Sequence, residues 1–191
     1  MKKYDEYKEI LSKRLDKDRY YHSLCVADEA LRLAEKYGGD TEKCYLAGLL
    51  HDITKNATTE EHLQIFESFG IMLSVIEKNA MKLWHAISGT AYIENFLEIK
   101  DVEILDAVRH HTTAKADMSL TAKILYLADF TSKDRNYPDV NIMRRLVDKS
   151  LNEAFVYALK YSIIDLTERL KAIHPDTVAA FNQVVLNLEE N

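Results

Sequence analysis

Apolar residues recur at helical spacing through nearly the whole chain. Between residues 20 and 37, Leu24, Ala27, Leu31 and Ala34 form one stripe, widened by Val26, Ala30 and Leu33. Gly38-Gly39 then supplies a C-terminal stop. Asp40-Thr41 supplies an N-cap for the next helix, which carries Leu46, Leu49 and Leu50 and runs into His51-Asp52. Thr58 with Glu61 reads as a capping box for a helix over 59–68. Further helices are predicted near 82–97, 101–110, 119–130 and 139–148, then a long one from about 150 to 171. A last one runs from Pro175, a favoured first-turn residue, to about 188. The first 15 residues alternate Lys/Glu with Tyr, Ile and Leu, which predicts a packed N-terminal helix with Tyr4, Tyr7 and Leu11 facing the core. The period-two alternation of strands is missing, as are repeats and flexible linkers. The pattern predicts one all-α domain over residues 1–191.

Composition narrows the class. Only 5 Gly and 2 Pro in 191 residues leave little room for the tight turns of a sandwich or barrel. No apolar run approaches the ~20 residues that span a bilayer, and the opening MKKYDEYKEI is too charged for a signal peptide. The expectation is a cytoplasmic protein without a membrane partner. Cys25 and Cys44 sit on predicted helices without CxxC spacing and read as small buried residues. A net charge of −6, from 25 basic and 31 acidic residues, argues against a nucleic-acid partner. It leaves room for a small phosphate substrate, since a few Lys or Arg focused in one cleft suffice.

The histidines are His22, His51, His62, His85, His110, His111 and His174. In Ala47-Gly48-Leu49-Leu50-His51-Asp52-Ile53, two strongly polar side chains end an apolar helix, and leaving them unpaired in a core costs several kcal/mol. A bound cation compensates for that. Adjacent helical residues point about 100° apart, so His51 and Asp52 converge most easily at a helix end, which the break predicted at Thr54–Thr58 provides. His22 on an amphipathic helix, and Asp129 closing the apolar run Ile124–Asp129, complete an ordered set more specific than any member. Trp84-His85-Ala86 starts a helix, and Ala107-Val108-Arg109-His110-His111-Thr112 ends one. Imidazole and carboxylate without thiolate suit iron, manganese, cobalt or zinc at an open site.

With these stretches in place, the sequence resembles the HD-domain metal-dependent phosphohydrolases. Within them it is similar to the YqeK family of symmetrical bis(5'-nucleosyl)-tetraphosphate hydrolases. The matching segments are Arg19–Ala27, Ala47–Lys55, His110-His111-Thr112-Thr113, Ala128-Asp129 and Asp134-Arg135-Asn136-Tyr137-Pro138. The resemblance implies a single HD-domain helical bundle with its core at about 18–132. It also implies iron, one ion or two, held by His22, His51, Asp52 and Asp129. His85 and His111 would complete the site, on a second metal or directly on substrate phosphate, and His111 is preferred to His110 because it immediately precedes Thr112. Arg19, Lys55 and Arg135 fall on basic positions that would contact phosphates, and Thr112 would join them. The implied substrate is a dinucleoside polyphosphate, with a purine nucleoside diphosphate as product. The implied nucleophile is hydroxide derived from metal-bound water, with Asp52, Lys55, His85 and His111 as the catalytic set; His22 and Asp129 would also face the substrate.

The chain departs from the family pattern at Ala86 and Ala114, where glycine is common. Ser132-Lys133 replaces Glu-Pro, and Asp139 replaces a glycine. These positions bear on loop shape and nucleotide selectivity more than on hydrolysis. Another HD-type activity, on a nucleoside monophosphate or a phosphodiester, stays open at this point. So do a sensor that keeps the ligands without turnover and a homodimer formed through an exposed helical face. His62 and His174 read as structural, His110 as a packing or rim residue, Arg144-Arg145 as a solvated helix face and Lys2-Lys3 as an exposed terminus. Tyr137, near Arg135, is a candidate for stacking on adenine.

Overall fold

The computed structural model describes residues 4–189, so Lys2-Lys3 lie outside it. Among the described residues the secondary structure is helical, without strands. The order is α1 (Asp5–Arg14), α2 (Lys17–Tyr37), α3 (Thr41–Leu50), α4 (Thr59–Ser68), α5 (Val75–Asn79), α6 (Trp84–Asn95), α7 (Val102–His110), α8 (Leu120–Thr131), α9 (Val140–Lys149), α10 (Leu151–Glu168) and α11 (Pro175–Glu189). A 3₁₀ turn at Met81–Leu83 leads into α6.

Local chemistry sets most of these boundaries. The side chains of Asp16, Asp40, Asp101, Ser119 and Ser150 each accept from backbone N–H groups in the first turn of the helix that follows. Gly38 ends α2 in the left-handed conformation, at φ 74°. Two expectations need correction. Thr58 does accept from the Glu61 N–H at 3.1 Å, but the Glu61 carboxylate pairs with the Arg14 guanidinium, so the box is half formed. The complete capping box belongs to Ser74 and Glu77 at the start of α5, a short helix that the apolar pattern does not predict. The long helix also stops at Glu168, before the predicted 171, and the chain turns at Leu170 with φ 51°.

The core runs between α2, α3, α7 and α8, with α9 and α10 packed on α8 and α11 on α10. Leu33, Leu49, Leu50, Ile53, Ile93, Ile124, Leu125 and Leu127 are fully buried in it. Leu11 is buried too, with Tyr4 and Tyr7 packed against the same core, and Cys25 and Cys44 are free and buried. Gly48 lets α3 close on α2. A Cβ there would stand 2.9 Å from Ala27 Cα and 3.0 Å from the Val26 carbonyl oxygen, inside any real contact distance. No helix among the described residues is long and apolar enough to cross a membrane.

Candidate metal centre

The helices deliver the polar set to one end of the bundle. Arg19 and His22 come from the first turns of α2. His51 caps the C-terminus of α3, and the turn that follows carries Asp52 and Lys55. His85 starts α6, His111 caps α7, Asp129 sits in the last turn of α8, and the loop to α9 brings Asp134 and Arg135. The break after α3 comes earlier than predicted, directly at His51, and it gives His51 and Asp52 the convergence that a straight helix denies them. His51 Nε2 lies 3.5 Å from Asp52 Oδ2.

The residues form two triads that share His51. One is His22, His51 and Asp129; the other is His51, Asp52 and His111; within each, the donor atoms lie within 4.8 Å of one another. Sequence reasoning grouped Asp52 with His22 and Asp129, whereas the geometry sets it with His111. His85 stands beside the second triad, its Nε2 3.1 Å from both Asp52 Oδ1 and His111 Nε2, with Lys55 Nζ at 3.0 Å. His110 points elsewhere, its Nδ1 bonded to the Asp106 carbonyl at 3.0 Å.

Three of the imidazoles are oriented in the same way. His51 Nδ1 donates to the Gly48 carbonyl at 2.7 Å and His111 Nδ1 to the Val108 carbonyl at 2.7 Å. His22 Nδ1 donates to Asp134 Oδ2 at 2.7 Å. With the ring proton committed to Nδ1, Nε2 of His51 and of His111 keeps its lone pair for the cluster, whereas His22 Nε2 lies 2.9 Å from Asp129 Oδ1.

Protonation agrees with that reading for His51, whereas at His22 burial is outweighed by the Asp129 and Asp134 carboxylates, which raise the value above the ordinary one. Burial pushes His51 down to about 3 and His85 to about 4, so both are neutral, as metal ligands must be. Burial works against the Asp52 carboxylate, yet the surrounding histidines and Lys55 hold it well below its ordinary value. Asp129 is likewise ionised against its burial, held so by Arg135 and His22. Two buried atoms, His51 Nε2 and Asp52 Oδ1, have no hydrogen-bond partner. A buried imidazole nitrogen without a partner, beside a buried carboxylate oxygen that His85 Nε2 and Lys55 Nζ approach, fits a cation. The C-terminal ends of α3, α7 and α8 add their partial negative charge there.

The basic residues surround this centre. Arg19 Nη1 reaches Asp52 Oδ2 at 3.3 Å, and Lys55 Nζ lies 3.4 Å from Asp52 Oδ1. Arg135 contacts Asp129 Oδ1 and comes within 3.3 Å of His22 Nε2. A cavity of about 490 Å³, bounded by Arg19, Lys55, Trp84 and His85, opens on one side. On the other, Asp129 and Arg135 line a cavity of about 270 Å³. The buried Thr112 hydroxyl has no partner, whereas Thr113 donates to the Ala114 carbonyl at 2.9 Å. Thr112 is therefore not spent on local backbone.

Three contributors escaped sequence reasoning. Asp134 lay in a recognised stretch but carried no role, and its bond to His22 needs the folded loop. Thr54 donates to the His85 carbonyl at 2.9 Å, tying α6 to the turn after α3. Arg144 does not lie on a solvated face: it donates to the Thr131, Ser132 and Arg135 carbonyls at 3.1, 2.7 and 3.1 Å and holds the Asp134-Arg135 loop in place. His62 and His174 fit their structural reading, His62 Nδ1 meeting Ser88 Oγ at 2.8 Å and His174 Nδ1 accepting from the Asp176 N–H at 3.2 Å.

Comparison with known proteins converges on one family. The family described as HD domain matches residues 19–134. A symmetrical bis(5'-nucleosyl)-tetraphosphatase of Bacillus subtilis (strain 168) is 31% identical over 92% of this chain and 94% of its own length. A protein of the same name from Halalkalibacterium halodurans is 32% identical over 93% and 95%. A crystal structure from Clostridium acetobutylicum, described as a predicted HD superfamily hydrolase involved in NAD metabolism, superposes with a TM-score of 0.92 at 33% identity, over 96% and 97% of the two chains.

Proposed function

The chain belongs to the HD-domain hydrolases, in their symmetrical bis(5'-nucleosyl)-tetraphosphatase family, and we propose that it cleaves diadenosine tetraphosphate into two molecules of ADP. The observation that carries this reading is the buried His/Asp cluster around His51 Nε2 and Asp52 Oδ1, bordered by the cations Arg19 and Lys55. His22, His51, Asp52, His111 and Asp129 would hold the metal, and His85 either extends the site to a second ion or meets phosphate directly. The donors suit iron, manganese, cobalt or zinc, and the family resemblance selects iron. Bound there, a metal polarises a phosphate oxygen and makes a coordinated water acidic enough to ionise near neutral pH.

The chain's own residues do the remaining work. Lys55 and Arg19 neutralise one half of the tetraphosphate, and Arg135 the other, so charge that accumulates on the dividing P–O bond meets a fixed cation on either side. Thr112 offers a hydroxyl to a phosphate oxygen. Water is the nucleophile that the family resemblance implies, and it requires no covalent enzyme intermediate. On this reading the protein works in the cytoplasm on a free nucleotide, with neither a nucleic acid nor a membrane as partner. The acidic net charge of −6 supports that.

Nucleotide chromatography tests the proposal. Iron-loaded protein, prepared without oxygen, is incubated with diadenosine tetraphosphate. ADP as the sole product, lost in Asp52→Ala together with the metal, is the expected result. Lys55→Ala should keep the metal and lose rate. AMP plus ATP would overturn the symmetrical cut. Cleavage of NAD with the tetraphosphate untouched would move the substrate to another dinucleotide. A fully metallated protein that turns over nothing would be a sensor.

A further inference from the structure

We propose that the aromatic cleft formed by Phe130, Tyr137 and Tyr161 seats the purine ring of one half of the substrate, a seat distinct from the cavity beside Lys55 and His85. The inference rests on the dinucleoside tetraphosphate reading above and names the residues that select one of its two nucleosides.

The cleft is continuous with the metal centre. Asp129, a candidate ligand, forms part of its wall, and Arg135 stands between the two. Arg135 Nε donates to the Asp129 carbonyl at 2.6 Å, so the guanidinium is fixed at the mouth. A phosphate engaged there leaves its nucleoside directed into the cavity of about 270 Å³ that Phe130, Tyr137 and Tyr161 enclose.

The rings are half-buried and held in place. Tyr137 donates its hydroxyl to the Phe130 carbonyl at 3.1 Å. Its ring centroid lies 5.5 Å from that of Tyr161 and 6.4 Å from that of Phe130. Aromatic side chains that only fill a core leave no open volume against their faces, whereas these line one. Tyr161 also borders a further cavity of about 410 Å³ whose lining includes Asp139 and Asp165. Asp139 accepts from the Tyr157 hydroxyl at 3.3 Å, and Asp165 pairs with Arg169 at 2.7 Å. Carboxylate oxygens so placed are acceptors for the only donors a nucleoside offers, its ribose hydroxyls and purine N–H groups. An aromatic cleft with a cation at its mouth, next to a second cavity that carries acceptors, matches a purine nucleoside phosphate in polarity. The Lys55–His85 cavity, on separate walls, leaves room for the other nucleoside.

Steady-state kinetics of Tyr161→Leu and Tyr161→Phe on the metal-loaded protein test the cleft. Losing a stacking face costs about 1–3 kcal/mol, so KM for diadenosine tetraphosphate should rise about 5- to 150-fold in the Leu variant, by a larger factor than kcat falls. The Phe variant, which keeps the ring, should restore it. An unchanged KM in Tyr161→Leu, with hydrolysis intact, would overturn the cleft and leave the activity standing. If the wild-type protein hydrolyses no dinucleoside tetraphosphate, the activity reading fails by itself. The cleft is then judged by calorimetric binding of the same nucleotide: affinity lost in the Leu variant supports it, and equal affinity, or no binding to wild type, overturns it. Should the Leu variant fail to fold, photolabelling of the wild type with an 8-azido-adenine analogue decides. Label on Tyr137 or Tyr161 supports the cleft, and label confined to other segments overturns it.

Discussion

At the scale of single residues, the three oriented imidazoles differ in what holds them. Backbone carbonyls fix His51 and His111, and they cannot be mutated away; His22 depends on the Asp134 carboxylate. A carboxylate on Nδ1 also raises the basicity of the ring, so its removal should weaken the metal as well as loosen the geometry. Asp134→Asn is expected to lower metal affinity about 10–100-fold, read by competition with a chelator on protein of wild-type helix content. Ala114 makes a different point. It adopts φ 55°, the left-handed region that a Cβ disfavours by about 1–2 kcal/mol. This is one of the positions where the family commonly has glycine, so the departure noted in the sequence has a backbone cost. Ala114→Gly should raise the urea midpoint by an amount equivalent to about 1 kcal/mol.

Among the elements, the contact of α2 with α3 sets the distance between His22 and His51, whose ring centroids lie 5.3 Å apart. Gly48 makes that distance attainable, because the helices meet backbone to backbone at Ala27. A methyl group at position 48 has no flexible neighbour to displace. Gly48→Ala should therefore cost about 1–3 kcal/mol in denaturant unfolding and weaken metal binding as His22 moves from His51. The helices themselves were largely legible, because 3.6-residue periodicity and N-cap side chains are local signals: 59–68 matches α4 to the residue, and most other ends shift by one to three. α5 was not, since a single turn has no periodicity to display. The site was legible in its ligands, where buried-looking polar residues interrupt apolar runs. Its grouping into triads was not, because that depends on how α7 approaches α3. Arg144 was misread for the same reason: a basic residue on an amphipathic helix gives no sign that the last carbonyl of α8 and two loop carbonyls lie opposite.

Across the whole molecule, the segments around the site are joined by one acidic side chain. Glu77 Oε2 accepts from the Ser74 N–H at 2.8 Å, Oε1 accepts from Arg109 on α7 at 2.5 Å, and its carbonyl accepts from Trp84 Nε1 at 2.7 Å. His174, at the start of α11, approaches Oε1 at 3.7 Å. Burial works to raise the Glu77 pKa, but the Ser74 N–H and hydroxyl and the Arg109 guanidinium lower it below the ordinary 4.5. The folded state thus prefers the ionised form. The resulting stability is full above pH 4.5, the value expected in the unfolded chain, and is lost as the pH falls through the lower folded value. Glu77→Gln mimics the protonated state at every pH. With metal removed by chelator, so that acid release of the ion does not contribute, the variant should be less stable than wild type by about 2 kcal/mol at neutral pH. That gap should narrow steadily in acid as wild-type Glu77 takes up its proton. A gap independent of pH would mean that the shape of the side chain, rather than its charge, joins α5 to α7.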